Sequence, residues 1–147
     1  MSLKTDIIFV KALSENSELI AQLPAKGIYN TSIPLPDADF LNAPIPYIIV
    51  RYEGCNNDGT NKDETYEGES DNVNISVEIA AEKREDVADL AETVRTTIRE
   101  YFETADPTDD DFDLVPVDYQ FSASGVMYDA DKPCFWQTLN YACDTNA

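Results

Sequence analysis

Residues 74–98 read NISVEIAAEKREDVADLAETVRTTI, and within them the hydrophobic period changes from two to nearly four. Val73, Ile75, Val77, Ile79 and Ala81 alternate with Asn74, Ser76, Glu78, Ala80 and Glu82, the pattern of a strand with one buried face. Over 85–102, Val87, Leu90, Ala91, Val94, Ile98, Tyr101 and Phe102 fall on one helical stripe. Glu85 and Asp86 in the first turn, with Arg95 and Arg99 in the second half, suit the helix dipole. A strand that feeds directly into a long amphipathic helix predicts a sheet covered by that helix.

The flanking segments extend this unit. Upstream, YIIVRYE at 47–53 is a strand rich in β-branched and aromatic residues. Its Arg51 is expected to pair with a carboxylate on a neighbouring strand. Between Thr5 and Leu23 the apolar residues recur at helical spacing around the polar run 14–17, which predicts two short helices, the second capped by Ser14 or Asn16. Pro24 and Gly27 end it. The connector 33–46 carries Pro34, Pro36, Pro44 and Pro46 and is expected to be extended, either wrapping its own domain or docking on a partner.

Downstream, 104–107 ends the helix and the acidic run 109–113 reads as a solvated connector. From Val115 the apolar Val117, Tyr119, Phe121, Ala123 and Met127 alternate with polar residues as a third main strand. Residues 128–133 form a turn, and CFWQTLNYAC at 134–143 returns as a fourth strand, with Trp136 packing on the sheet. The expected architecture is a single α+β domain over 1–147: a mainly antiparallel four-stranded sheet with the long amphipathic helix and the N-terminal helices on one face.

Composition bounds the function. The 147 residues include 43% hydrophobic and 10% aromatic residues, enough for a real core. Against 10 basic residues stand 29 acidic ones, with no histidine and a formal charge of −19. Such a surface repels phosphate backbones and anionic lipids. The apolar run 7–10 is too short for a signal-peptide core, and no segment approaches a membrane span. Three cysteines without CxxC spacing read as free thiols in a reducing compartment; Cys134 and Cys143, nine residues apart on one strand, would stand roughly 30 Å from each other.

Without histidine there is no Ser–His or Cys–His pair and no imidazole zinc ligand, and no glycine-rich phosphate loop appears. Paired carboxylates are the one catalytic device left. The chain is therefore expected not to be an enzyme and to need no cofactor. The stretch CNNDGTNKDETYEGESD, 55–71, resembles a calcium loop until its register is tested. With Gly59 at position 6 of the loop, position 1 is Gly54 and position 12 is Thr65, so both indispensable carboxylates are missing. A soluble connection between two strands is the expected reading; a small acidic binding module using 55–71 for calcium or a protein partner is the rival.

Taken together, the helical amino terminus ending at Leu23, the GIY at 27–29, PYIIVRYE at 46–53, the strand and helix at 74–98 and FWQTLNYACDT at 135–145 resemble the tail-terminator, or tail completion, proteins of long-tailed bacteriophages and prophages. The match covers nearly the whole chain, while the long acidic stretch and the extreme charge depart from it. The resemblance implies a self-associating structural protein: a ring of six that caps the tail tube and joins it to the head connector, made in the bacterial cytoplasm and ending in the virion tail. DNA would pass through the ring without sticking, and no membrane is involved. Asp58, Asp63, Glu64, Glu67, Glu69 and Asp71 are then expected to face the channel or an adjoining ring.

Overall fold

The computed structural model describes residues 2–24, 27–31, 45–57, 70–131 and 133–146. Apart from Ile45 and Pro46, the proline-rich arm expected at 33–46 lies outside the described residues. A 3-10 turn (Ser2–Lys4) opens into α1 (Thr5–Ser14), and α2 (Ser17–Ala21) follows after one turn. Asn16 makes that break. Its Oδ1 accepts from the backbone N–H groups of Glu18 and Leu19 at 3.0 and 3.2 Å, while its Nδ2 donates to Thr97 Oγ1 at 2.8 Å. One side chain thus caps α2 and ties it to the long helix. Asn16→Ala is expected to cost about 1–2 kcal/mol, read as a lower urea midpoint at unchanged slope; an unchanged midpoint would show the cap to be idle.

Six strands follow: β1 (Ile28–Asn30), β2 (Tyr47–Asn57), β3 (Ser70–Ala81), β4 (Asp118–Ala123), β5 (Met127–Asp129) and β6 (Cys134–Asn146), with α3 (Arg84–Glu103) between β3 and β4. Their order in the sheet is β1-β2-β3-β6-β4, and β5 also pairs with β6. The four-stranded expectation is corrected in two places. At one edge, Ile28–Asn30 run parallel to Ile48, Ile49 and Val50; three residues are too few to display a period. At the other, the strand expected from Val115 divides. Its pattern breaks at Gly125, where a core-facing side chain would be needed, and Ser124 instead holds β6 through N–H to Thr138 O (2.9 Å) and Thr138 N–H to its own Oγ (3.1 Å). Tyr128 and Asp129, expected in the turn, belong to β5. All remaining pairings are antiparallel.

One face of the sheet meets the helices. Ile48 and Val50 of β2, the odd positions from Val73 to Ala81 in β3, and Leu139, Tyr141 and Cys143 of β6 pack against Ile8, Phe9 and Leu13 of α1, Leu19 of α2 and the stripe of α3 from Val87 to Ile98. β2 changes phase on the way. Its register slips between Tyr52 and Gly54, and Gly54 has φ +155°, a backbone geometry that L side chains rarely adopt. This bulge turns Cys55, an odd position, toward the same side as Ile48, Val50 and Tyr52. Phe9 is fully buried at the centre, edge-on to Phe102 at 5.3 Å and to Tyr141 at 5.1 Å.

Candidate assembly surface

Among the described residues the opposite face carries no helix, and it divides into three zones along the strands. The register aligns Tyr47, Ala80 and Trp136 in one row and brings Ile49 opposite Glu78 in the next. Tyr47, Ile49, Ala80 and Cys134 are buried there as a second apolar cluster, with Tyr29, Ile45 and Trp136 packed at its margin; Trp136 therefore packs on the sheet, as expected. Midway, Ser76, Asn140 and Ser122 line up, followed by Asn74, Ala142 and Gln120, a band of small uncharged polar groups. At the far end Asp118 and Asp144 stand opposite each other.

Two carboxylates of this face, Glu78 and Glu53, find partners within it, while Asp118 and Asp144 at the far end are like charges. Arg51 Nη1 lies 3.2 Å from Glu78 Oε1, which meets the pairing expected of it, and Ser76 Oγ donates to Glu53 Oε1 at 2.6 Å. Burial and the Glu78 charge push the Tyr47 phenol well above its ordinary range.

A cavity of about 280 Å³ lies between α1, the end of α3 and the 3-10 turn Phe112–Leu114, bordered by Glu15, Tyr101, Asp106, Asp109 and Asp111. Two of its four carboxylates are engaged: Lys11 Nζ reaches Asp111 Oδ2 at 2.6 Å, and the Thr108 N–H and hydroxyl hold Asp106 below the usual carboxylate range, the wrong direction for a general acid. Among the described residues no group of three or more His, Cys, Asp or Glu side chains could hold a metal. No disulfide joins Cys55, Cys134 or Cys143. Burial pushes the Cys143 thiol up to about 12, so it is not a nucleophile at neutral pH. No helix among the described residues is long and apolar enough to cross a membrane.

Of the six acidic residues expected to face a channel or a neighbour, Asp58, Asp63, Glu64, Glu67 and Glu69 lie outside the described residues. Asp71 is placed at the start of β3, where it pairs with Asn57 of β2 and accepts from Asn57 Nδ2 at 2.9 Å. It serves the ladder that brings β2 and β3 together at the two ends of the acidic stretch.

A feature that periodicity did not reveal sits at the other side of the sheet. The Arg95 guanidinium lies over the Phe121 ring, 4.1 Å from its centroid, which joins α3 to β4 by a cation–π contact. Arg99 follows one turn later and is also exposed. Their i, i+4 spacing was visible in the sequence, but the partner strand was not.

No family model and no curated protein matches this chain. Among solved structures it is similar to a chain described as "Virion of native gene transfer agent (GTA) particle", with a TM-score of 0.55 at 16% identity over 95% of this chain and 92% of that one. At that identity the likeness shows a shared fold.

Proposed function

We propose that this chain is a structural protein of a phage-like particle that works by self-association, as a ring capping a tail tube and joining it to the head connector. The observation that carries the reading is the likeness, over nearly the full length of both chains, to a component of a virion particle. A sheet face with a band of uncharged polar groups, and a strand edge uncharged from Tyr119 to Tyr128, supply contact surfaces that agree with it. The five acidic residues of 58–69 remain candidates for the channel or an adjoining ring.

Charge sets the conditions for assembly. Copies at −19 each repel one another, and raising salt from about 0.01 to 0.1 M shortens the screening length from about 30 to 10 Å. That removes long-range repulsion before it weakens contacts at a few ångströms. Light scattering across this salt series is expected to show the mass rising toward a closed ring, visible as such in electron micrographs. A monomer at every salt and protein concentration would overturn the proposal. Calorimetric titration is expected to show no micromolar calcium uptake; uptake would favour the rival binding module.

A further inference from the structure

We infer that the outer edge of β4, overhung by Arg95 and Arg99, docks an acidic segment from a second copy of this chain, its 58–69 stretch. The inference rests on the self-association proposed above and names the contact. β4 is the last strand of the sheet and pairs only with β6 among the described residues. In an antiparallel pair alternate backbone N–H and C=O groups point away from the partner strand, so this edge offers hydrogen bonds to an incoming chain.

The usual protection is confined to the ends of this edge, Pro116 and Asp118 at its start and Asp129 at its finish. Strand edges that stay solitary carry charges or prolines, yet from Tyr119 to Tyr128 there is no charged residue and no proline in a chain that is 27% charged. Val117, Met127 and Tyr128 along this side are 69, 51 and 58% exposed.

Electrostatics selects the occupant. Only two ion pairs, Lys11–Asp111 and Arg51–Glu78, form among the described residues, so no carboxylate of the described residues lies within 4.0 Å of the Arg95 or Arg99 guanidinium, although acidic residues outnumber basic ones 29 to 10. The ring of Phe121 fixes one of them beside the open backbone. The sequence supplies a complementary segment in Asp58, Asp63, Glu64, Glu67 and Glu69, offset only by Lys62.

Chain length favours a second copy over the chain's own segment. From Asn57 to Ser70 the backbone can span about 44 Å at most. Reaching the slot beyond β4 from β2 crosses four strand spacings, and returning to β3 crosses three, together about 33 Å at roughly 4.8 Å each. About three residues would remain to pair.

The test uses the full chain and a fluorescein-labelled peptide of residues 56–71 at 0.15 M salt. Anisotropy is expected to show the peptide binding the wild type and binding the Arg95→Glu/Arg99→Glu double variant at least tenfold more weakly. The same variant is expected to lose assembly in light scattering while its thermal melt stays cooperative. Lys83→Glu/Arg84→Glu, at the other end of α3, changes the net charge equally and is expected to retain both properties; Arg95→Gln/Arg99→Gln should fall between. Equal losses in the two charge-reversal pairs, or a ring that forms in Arg95→Glu/Arg99→Glu, would overturn the docking contact while leaving the ring itself standing. Peptide binding by a chain that never assembles would support the edge as a docking site and remove the ring. Spectral changes at 58–69 caused by Arg95→Glu/Arg99→Glu in a strict monomer would assign the contact to the chain's own segment and overturn the role of a second copy.

Discussion

Phe9→Ala is expected to destabilise the fold by about 3–5 kcal/mol, a large share of the 5–15 kcal/mol that holds a typical domain together. Phe9 is 0% exposed and lies where α1, the end of α3 and β6 converge, with its ring edge-on to Phe102 and Tyr141. Truncation removes the buried area and leaves a cavity that neighbours locked in aromatic contacts cannot fill, since Phe102 also meets Tyr119, and Tyr141 also meets Phe121. Urea unfolding followed by tyrosine fluorescence or circular dichroism measures the loss. Phe9→Leu should recover most of it, and a loss under about 1 kcal/mol for the alanine variant would mean that α1 is not part of the cooperative core.

Stability is expected to fall steeply above about pH 9. Burial pushes the Cys143 thiol from the usual 9.0 to about 12, and it also raises Tyr52 to about 12 and Tyr141 higher still. The Tyr141 hydroxyl is buried without a hydrogen-bond partner among the described residues, which favours its neutral form. The sign follows from proton binding. Between the unfolded and the folded pKa the native chain keeps a proton that the unfolded chain releases, so the contribution is complete below the unfolded pKa and is lost as pH rises toward the folded one. For Cys143 the loss starts near pH 9 and reaches on the order of 4 kcal/mol by pH 12; the tyrosines join above pH 10. Urea midpoints at pH 8, 9, 10 and 11 should drop progressively, and Cys143→Ala should delay the onset toward pH 10. A midpoint that stays level through pH 11 would contradict the burial of these groups.

The reading of the sequence succeeded where local period and packing agree. The odd positions of β3 and the stripe of α3 face the core as their spacing required, because each pattern was long enough for burial to impose one phase. Arg51 was legible for the same reason: a charge within an apolar strand needs a partner, and Glu78 supplies it. Asn16 was one of two candidate caps and proved to be the cap.

What the sequence alone determined, then, is the α+β class, the main strands, the covering helix, the lack of a disulfide and the excess of negative charge, all of which follow from local periodicity and composition. Only the tertiary structure decided the parallel β1, the phase change at Gly54, the division of β4 from β5 and the stacking of Arg95 on Phe121. Each depends on contacts between residues far apart in the chain, where a three-residue strand or a single bulge has no periodic signature and becomes defined when a neighbouring strand or ring is in place to pair with it.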